Sequence, residues 1–388
     1  MTKIMMICAE SSGDFLAAEL VDSLNNKDST LKFTDSVIGS ECQKRGLNSI
    51  IDLSVIAKMG FVEILTLIPT IFKLRSQILK TIGMQKPDCI ILVDGFAFTH
   101  FVAKKIKKNY PNIKLVKYIA PKLWAWAPWR AYKLRGVYDL ILSCLPFETV
   151  FFKQKNIDVT FVGHSVLQRI KMLNSQEKQN FKQLHQIPND KKIILLLPGS
   201  RHAEITNLKP IFLDTAHKFD THTHHFIVPI ASGKAHYFVD LPKNYTVITQ
   251  AEDRFKAFQI SDAALAASGT VSLELMICQV PTVIAYKVSW LTAKIAQWLV
   301  NVPYVTLLNI MMNKEIFPEF LQSNCQVDSI YPALYKNLYD IKTIDYLKQY
   351  CIKGTNSLST YDENNAKIPP NNAAADQILT LLGALKMH

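Results

Sequence analysis

The chain has 388 residues, of which 49% are hydrophobic and 20% are charged. This composition is typical of a globular protein of roughly two or three domains, and it excludes a chain that is mostly disordered or fibrous. Lysine and arginine number 44 against 32 aspartates and glutamates, a formal net charge of +12. The excess favours an acidic partner, which could be nucleic acid, anionic lipid or a phosphorylated substrate.

The seven cysteines are odd in number and form no C-x-x-C pair. They indicate the reduced thiols of a cytoplasmic protein rather than a disulfide framework. The sequence contains no run of roughly 18 uncharged apolar residues, so we predict no transmembrane helix. Any contact with a membrane should therefore be made from its surface.

Short apolar runs of strand length alternate with segments of helix length. In the first half, helices are predicted over 14–25 and 98–109, and strands at 4–9, 89–93, 113–119, 140–143 and 159–162. After residue 170 the pattern restarts, with strands at 193–197, 226–230, 245–248, 263–267 and 280–285. Apolar strands separated by helices indicate parallel sheets covered on both faces. Two such series predict an α/β protein with two Rossmann-like domains.

The boundary between the two series is predicted between Gly163 and Ile187. We set the domains at 1–168 and 169–353, followed by a tail at 354–388. Residues 354–370 are rich in Asn, Ser, Thr and Pro, so this part of the tail is predicted to be loop. The rest of the tail is predicted to be a closing helix.

Open parallel sheets bind ligands beyond the carboxyl ends of their strands. The first strand is followed by Glu10-Ser11-Ser12-Gly13-Asp14, a turn of small residues that leads into a helix. Such a turn presents free backbone N–H groups to a polar ligand or a phosphate, or is an ordinary turn capped by Ser12 or Asp14. It is not a G-x-G-x-x-G turn, which disfavours dinucleotide binding.

Two more strands of the first half end in side chains that can carry chemistry. The strand at 89–93 ends in Asp94-Gly95, where a carboxylate is well placed to accept a proton from a substrate. The alternative is a turn-forming pair, and Glu10 competes for the role of base. His164 follows the strand at 159–162, where it contacts substrate or has a structural role.

Two turns of the second half suit a nucleoside diphosphate. In Pro198-Gly199-Ser200-Arg201, glycine allows close approach and the guanidinium of Arg201 suits phosphate. Ser268-Gly269-Thr270 opens a helix whose dipole suits a diphosphate. Glu274 lies one turn later, on the face of Thr270, where a carboxylate can accept from two ribose hydroxyls. The alternatives are a capped turn with a solvated arginine and a carboxylate that stabilises the helix dipole.

Metal and cofactor sites are not predicted. His222, His224 and His225 form a local cluster, but no cysteine or carboxylate lies at a convincing ligand spacing. The sequence contains neither a Walker A motif nor G-x-S-x-G.

Two segments are candidates for lipid contact. Residues 104–135 contain ten basic residues and no acidic one, and within them Trp124, Trp126 and Trp129 suit a membrane interface. The same composition suits stacking on nucleic-acid bases, or a buried aromatic loop. Residues 59–72 are apolar but interrupted by Glu63 and Pro69, so they suit a lipid surface or core packing rather than a span. The residues predicted to touch lipid here are Met59, Phe61, Ile64, Leu65 and Ile68.

Taken together, these segments resemble the lipid-A-disaccharide synthase family. The resemblance runs in order from residue 4 to about residue 325, and each motif is weak alone. Glu274, Tyr304-Val305 and Asn309 match, and so do the following segments: Ala9-Glu10-Ser11-Ser12-Gly13-Asp14, Met59-Gly60-Phe61-Val62-Glu63, Trp124-Ala125-Trp126, Leu145-Pro146-Phe147-Glu148, Phe161-Val162-Gly163-His164, Leu197-Pro198-Gly199-Ser200-Arg201 and Ala267-Ser268-Gly269-Thr270.

The resemblance implies a GT-B fold, with two Rossmann-like domains whose parallel sheets face a central cleft and a last helix that returns to the first domain. It implies an inverting transfer from UDP-2,3-diacylglucosamine to 2,3-diacylglucosamine 1-phosphate, giving a β-1,6 disaccharide and UDP without a metal or cofactor. It makes Asp94 the expected base and Glu10 its alternative. UDP is expected at Ser200, Arg201, Ser268, Gly269, Thr270 and Glu274. The acceptor or the rest of the cleft is expected at Ser11, Ser12, Gly13, His164 and Asn309.

The resemblance also implies a peripheral enzyme on the cytoplasmic face of the inner membrane, held by an anionic surface. It implies no nucleic-acid partner and leaves the oligomeric state open. Two alternatives compete with this interpretation. One is a different GT-B activity, such as a UDP-sugar 2-epimerase or a transferase with a soluble acceptor. The other is a nucleic-acid-binding protein that uses the basic stretch, which would leave the predicted UDP turns unexplained.

Overall fold

The computed structural model describes residues 1–51, 64–230, 233–288 and 302–386, with the backbone alone at 64–68 and 384–386. The chain divides into two compact units. Unit 1 consists of Met1–Ser165 and Leu358–His388, and unit 2 consists of Val166–Ser357. None of the described helices is long and apolar enough to span a bilayer.

In the described residues, unit 1 contains a six-stranded sheet in the order β2-β1-β3-β4-β5-β6, and every pairing is parallel. The central strand β3 is fully buried, because helices cover both faces of the sheet and its five residues are all apolar or Cys. The strands are β1 Lys3–Cys8, β2 Lys32–Phe33, β3 Cys89–Val93, β4 Lys114–Tyr118, β5 Leu140–Ser143 and β6 Thr160–Phe161.

The described helices of unit 1 that precede residue 160 connect consecutive strands of this sheet. Residues 128–134 form a 3₁₀ turn after α5. The helices are α1 Ser11–Lys27, α2 Ser40–Gln43, α3 Ile64–Gln85, α4 Phe96–Asn109, α5 Leu123–Trp126 and α6 Pro146–Lys153. The predicted lipid contacts Met59 and Phe61 lie outside the described residues, and so do the side chains of Ile64, Leu65 and Ile68.

Unit 2 repeats the architecture in its described part, with a six-stranded parallel sheet in the order β12-β11-β10-β7-β8-β9. The strands are β7 Lys192–Leu197, β8 His224–Pro229, β9 Tyr245–Ile248, β10 Ala263–Ala266, β11 Thr282–Tyr286 and β12 Glu319–Leu321. The described helices are α7 Val166–Arg169, α8 Ser175–Leu184, α9 His202–His217, α10 Arg254–Gln259, α11 Val271–Ile277, α12 Leu307–Met312, α13 Val327–Tyr339 and α14 Ile341–Ser357.

The prediction of a loop over 354–370 is wrong at both ends. Helix α14 continues through Gly354 to Ser357, and the short strands β13 Thr360–Tyr361 and β14 Lys367–Ile368 pair as a hairpin. Gly354 is buried inside the helix. A Cβ there would lie 2.6 Å from the sulfur of Met276 and 2.7 Å from a methyl group of Leu308, so a side chain would displace these neighbours. The glycine therefore serves close packing of the helix, whereas the prediction of a loop rested on the Asn, Ser, Thr and Pro content of 354–370.

The last helix, α15 (Pro370–Lys386), belongs to unit 1 and packs against α1. At its start, Asn371 accepts a hydrogen bond from the Tyr118 hydroxyl at 2.8 Å and donates one to Glu19 at 3.1 Å. These buried contacts tie the end of the described chain to β4 and α1. Unit 1 is therefore completed by a helix that follows unit 2 in the sequence.

Candidate active site

Two turns lie against each other at the carboxyl edge of the unit 1 sheet. Strands β1 and β3 are parallel neighbours, so the residues that follow Cys8 and Val93 emerge side by side. A Cβ at Gly95 would overlap the Cβ of Ala9, and one at Gly13 would lie 3.3 Å from the Val93 carbonyl oxygen. Glycine is thus needed at position 95 for the turns to approach this closely, and at position 13 a side chain would be tightly confined.

Asp94 and Glu10 extend from these two turns. Asp94 is half-buried, has a left-handed backbone with φ of 47°, and donates its N–H to the Tyr118 carbonyl at 2.8 Å. Loss of solvent around the carboxyl group of Glu10, and then the negative charge of Asp94, raise the pKa of Glu10. The site therefore holds two interacting carboxylates, of which Glu10 keeps its proton to higher pH than an ordinary glutamate does.

The other predicted residues of unit 1 lie around this edge. Ser11 and Ser12 are exposed at the start of α1, and Gly13 is buried beneath them. Asp14 is buried and accepts hydrogen bonds from the backbone N–H groups of Gly39 and Glu41, at 2.7 and 2.8 Å, so its role is structural. His164 follows β6, is half-buried, and donates its backbone N–H to the Leu358 carbonyl at 3.0 Å.

Unit 2 contains a cavity of about 470 Å³ at the carboxyl ends of its central strands. Its volume is adequate for a nucleotide and lies within the usual range for ligand sites. The cavity is lined by Leu197, Gly199, Ser200, Arg201, Glu204, Pro229, Ile230, Thr249, Ala251, Arg254, Ala267, Ser268, Gly269, Thr270, Val271 and Glu274. All six residues predicted to bind UDP line it.

On one wall, Glu204 occupies the turn that contains Ser200 and Arg201. Its carboxylate accepts the backbone N–H groups of Ser200 at 3.1 Å and Arg201 at 3.2 Å, and the guanidinium of Arg201 at 3.2 Å. It also accepts the Tyr286 hydroxyl at 3.2 Å. The side chain of Arg201 is 81% exposed, so its guanidinium is accessible to a ligand although the N–H groups beside it are occupied.

The opposite wall is the loop Ser268-Gly269-Thr270 and the helix that follows it. No described residue accepts a hydrogen bond from the backbone N–H groups of residues 268–271, which leaves these donors for an anion. Glu274, one turn into the helix, is paired through both carboxylate oxygens with the guanidinium of Arg254. Burial raises the pKa of Glu274, and the positive charges of Arg254 and Arg169 oppose that shift.

The tryptophans of the basic stretch differ in exposure. Trp126 is 40% and Trp129 60% exposed, and Arg130 stacks over the Trp126 ring at 4.9 Å. Trp124 is instead half-buried and donates its indole N–H to Glu148 at 3.0 Å. Glu148 is fully buried, and burial raises its pKa to about 7. Trp124 therefore anchors the segment, whereas Trp126 and Trp129 present their rings at the surface.

Comparison with known proteins identifies the family. A family model described as lipid-A-disaccharide synthetase matches residues 4–368. The lipid-A-disaccharide synthase of Psychromonas ingrahamii is 35% identical over 343 residues, which cover 86% of this chain and 88% of that protein. That of Gluconobacter oxydans is 31% identical over 388 residues, covering 98% and 90%. The chain belongs to the lipid-A-disaccharide synthase family.

Lipid-A-disaccharide synthase is a hexosyltransferase of lipid A biosynthesis, so the chain is a glycosyltransferase whose substrates are a sugar nucleotide and a lipid acceptor. The fold is GT-B. A Neisseria meningitidis UDP-GlcNAc 2-epimerase bound to UDP-GlcNAc superposes with a TM-score of 0.63 at 14% identity, covering 98% of this chain and 100% of that one. The glycosyltransferase of kitacinnamycin superposes with a TM-score of 0.64 at 13% identity, covering 97% and 98%.

The structure also places Asn309, which the resemblance assigns to the cleft of a lipid-A-disaccharide synthase. Its amide is buried and makes four hydrogen bonds of 2.8–3.0 Å, to Ile316, Phe317 and Glu319. Glu319 in turn accepts the backbone N–H groups of Val305 and Thr306, both at 2.9 Å. These four bonds use both N–H donors of the amide and both acceptor positions of its oxygen. Asn309 therefore holds Glu319, and through Glu319 it holds the segment at Val305 and Thr306.

Three charged residues beside the candidate site residues escaped sequence analysis: Glu204, Arg254 and Lys117. Glu204 and Arg254 line the unit 2 cavity, and Lys117 lies directly behind Asp94. Glu204 carried a usable signal, because a glutamate three residues after a helix start typically reaches back to the first N–H groups. Among the described residues, no group of three His, Cys, Asp or Glu side chains is arranged to hold a metal ion.

Proposed function

We propose that the enzyme transfers 2,3-diacylglucosamine from its UDP carrier to the 6-hydroxyl of 2,3-diacylglucosamine 1-phosphate, with inversion, to give the β-1,6 disaccharide and UDP. The proposal is carried by the family match over residues 4–368, which names the disaccharide product class. The unit 2 cavity and the paired carboxylates of unit 1 support it, because the reaction needs a diphosphate site and a base. We assign the donor to residues 169–353 and the acceptor to residues 1–168.

In this mechanism Asp94 is the general base. Inversion in one displacement requires the acceptor hydroxyl to lose its proton as it attacks, and a half-buried carboxylate at a strand end can accept that proton. Asp94 is favoured over Glu10 because it is half-buried at the end of the central strand β3, whereas Glu10 is exposed. Ser11, Ser12, Gly13 and His164 are assigned to the acceptor side.

Departure of UDP is assisted by positive charge and N–H dipoles in the cavity. The backbone N–H groups of the Ser268-Gly269-Thr270 loop, for which no described residue is a hydrogen-bond acceptor, can bind the diphosphate. The exposed guanidinium of Arg201 can bind it as well. Glu274, steadied by Arg254, is assigned to the ribose hydroxyls. Glu204 holds the Ser200 turn in shape, and Asn309 and Glu319 hold the segment at Val305, whose carbonyl accepts the Ser268 hydroxyl at 3.5 Å.

The reaction class is tested by an assay with matched acceptors. Purified enzyme is given UDP-2,3-diacylglucosamine with either 2,3-diacylglucosamine 1-phosphate or its deacylated counterpart, and UDP and disaccharide are measured. We expect equal amounts of UDP and disaccharide with the acylated acceptor and little of either without acyl chains. Equal rates with both acceptors would indicate a soluble-acceptor transferase, and epimerised UDP-sugar without disaccharide would indicate a 2-epimerase.

We also propose that the enzyme works at the cytoplasmic face of the inner membrane, bound peripherally through an anionic surface. The basic stretch at 104–135 and the exposed rings of Trp126 and Trp129 support this, because cations attract anionic headgroups and indoles favour the interface. Helix α3 also presents an exposed aromatic ring beside a cation, since Phe72 is 49% exposed and the guanidinium of Arg75 lies over its ring. The residues at 59–68 are assigned to the same role.

The double variant Trp126→Ala/Trp129→Ala is expected to bind anionic vesicles at least about tenfold more weakly, because two exposed indoles leave the interface. The measurement is co-sedimentation with phosphatidylglycerol vesicles. The matched control, Tyr335→Ala/Tyr361→Ala, removes two aromatic rings of 47% and 43% exposure outside the basic stretch and should bind as wild type does. Unchanged vesicle association of the tryptophan variant would refute this membrane role.

A further inference from the structure

One lysine of unit 1 lies in its core, directly behind the proposed base. Lys117 is in β4, next to β3, and its side chain is fully buried. Its ammonium donates to the carbonyl oxygen of Asp94, to the Thr99 hydroxyl at 3.1 Å and to the Leu92 carbonyl at 3.5 Å. A lysine is almost never buried without such partners, since an unpaired ammonium in the core is strongly destabilising.

The arrangement matches the charged form of the lysine. An ammonium has three donors, and Lys117 meets three acceptors, whereas the neutral amine has only two donors. Burial lowers the pKa of Lys117 to about 8, and the negative charge of Asp94 opposes that shift. His100, the other titratable group that faces it, lies on α4 and has its own pKa lowered by burial and by nearby cations including Lys117.

The contacts converge on a turn with an unfavourable backbone. Asp94 and Gly95 have φ values of 47° and 45°, and the left-handed region is disfavoured for a residue with a side chain. The Thr99 hydroxyl lies 3.0 Å from the carbonyl oxygens of both Asp94 and Gly95. Lys117 and Thr99 therefore hold together the carbonyl groups of the turn from which the Asp94 carboxylate extends.

We propose that Lys117 is a positioning residue for the transfer reaction: its buried ammonium, with Thr99, fixes the left-handed Asp94-Gly95 turn so that the Asp94 carboxylate faces the acceptor hydroxyl. This inference rests on the assignment of Asp94 as the base. Lys117 touches no substrate in this role and acts only through Asp94. The burial of a lysine in the middle of β4 is then explained by the reaction as well as by packing.

The test replaces the ammonium by an apolar group of similar length. Lys117→Met is expected to lower kcat about 10- to 100-fold, because misplacement of a catalytic group by about 1 Å can cost about 100-fold. KM for both substrates and Kd for UDP should stay within about twofold, because the donor residues are untouched. The matched control is Lys114→Met on the same strand, where Lys114 is 3.8 Å from Asp139, and it should keep wild-type kcat.

Two further readouts separate positioning from a general loss of structure. The double variant Asp94→Asn/Lys117→Met should be no slower than Asp94→Asn alone, because a residue that acts through Asp94 has nothing left to position. Wild-type kcat should fall above about pH 8, as Lys117 loses its proton, and this fall should be absent in Lys117→Met. Multiplying rate losses, or an unchanged kcat with an unchanged pH profile, would overturn the proposal.

If Lys117→Met does not fold, Thr99→Val keeps the lysine and removes one acceptor of its ammonium. Its kcat should fall several-fold, and the alkaline fall should move to lower pH, because a lost hydrogen bond to the charged form lowers the pKa of the lysine. An unchanged profile in Thr99→Val would contradict the proposal. A fully active Asp94→Asn would refute the assignment of the base, whereas an inactive Asp94→Asn beside a fully active Lys117→Met would refute the role of Lys117 alone.

Discussion

The Asp94→Asn variant is expected to turn over about 100- to 10,000-fold more slowly than wild type, the range that general-base catalysis contributes. Asparagine is the substitution to use because it tolerates the left-handed conformation that residue 94 adopts, whereas most residues with a side chain would strain the turn. It keeps the size of the side chain and removes its negative charge together with its ability to take up a proton. Initial rates with both acylated substrates give kcat, and calorimetry gives the Kd for UDP, which should not change.

The control for this variant is Asp88→Asn. Asp88 lies just before β3, at the opposite end of the same strand, and accepts the backbone N–H of Lys3 at 2.8 Å. Removing its charge should leave kcat near that of wild type. Glu10→Gln is the informative companion, since a normal rate in Asp94→Asn together with an inactive Glu10→Gln would move the base to Glu10.

The second large effect is expected at the donor site. Glu274→Ala should weaken UDP binding by about 10- to 100-fold, because hydrogen bonds to a charged group contribute about 1.5–3 kcal/mol. It should also remove the preference of the enzyme for UDP over 2′-deoxy-UDP, since the carboxylate that distinguishes a 2′-hydroxyl is gone. Both dissociation constants are measured by calorimetry on the same preparations.

The ratio of the two constants separates a ribose contact from a structural effect. Loss of the Glu274 carboxylate leaves Arg254 without its partner, and a distorted cavity would weaken both nucleotides alike. Glu252→Ala is the matched control, since Glu252 is an exposed glutamate two residues before Arg254 and does not line the cavity. If Glu274→Ala still prefers UDP as wild type does, the ribose assignment is wrong.

The sequence predicted the framework of the fold well because strand ends follow from local pattern. Apolar runs bounded by small polar turns define where a parallel strand stops. Asp94 and the Ser268-Gly269-Thr270 loop could therefore be placed at strand ends from the sequence alone. The edge strands β2 and β12 were not predicted, since two or three residues of mixed polarity carry no periodicity. The loop predicted over 354–370 was wrong because polar and small residues also occur in a helix end and a hairpin that are held by tertiary packing.

What the sequence could not supply is the set of partners of each charged side chain. Lys117 lies between apolar residues of β4, and no residue near it in the sequence indicates that its ammonium meets the Asp94 carbonyl, 23 positions away. Arg254 and Glu274 are 20 positions apart and meet only because the fold of unit 2 brings the start of α10 near α11. Such pairings depend on the tertiary arrangement of the elements, which residue spacing does not encode.

The return of α15 to unit 1 has a consequence for synthesis on the ribosome. The first 165 residues emerge long before the helix that covers α1, since the whole of unit 2 is translated in between. At typical translation rates this delay is about 10 to 40 seconds. During it, one face of α1 and the hydroxyl of Tyr118 lack the cover that Asn371 and its helix later supply. A nascent chain of this enzyme therefore exposes the apolar face of α1 until residues 370–386 have been translated.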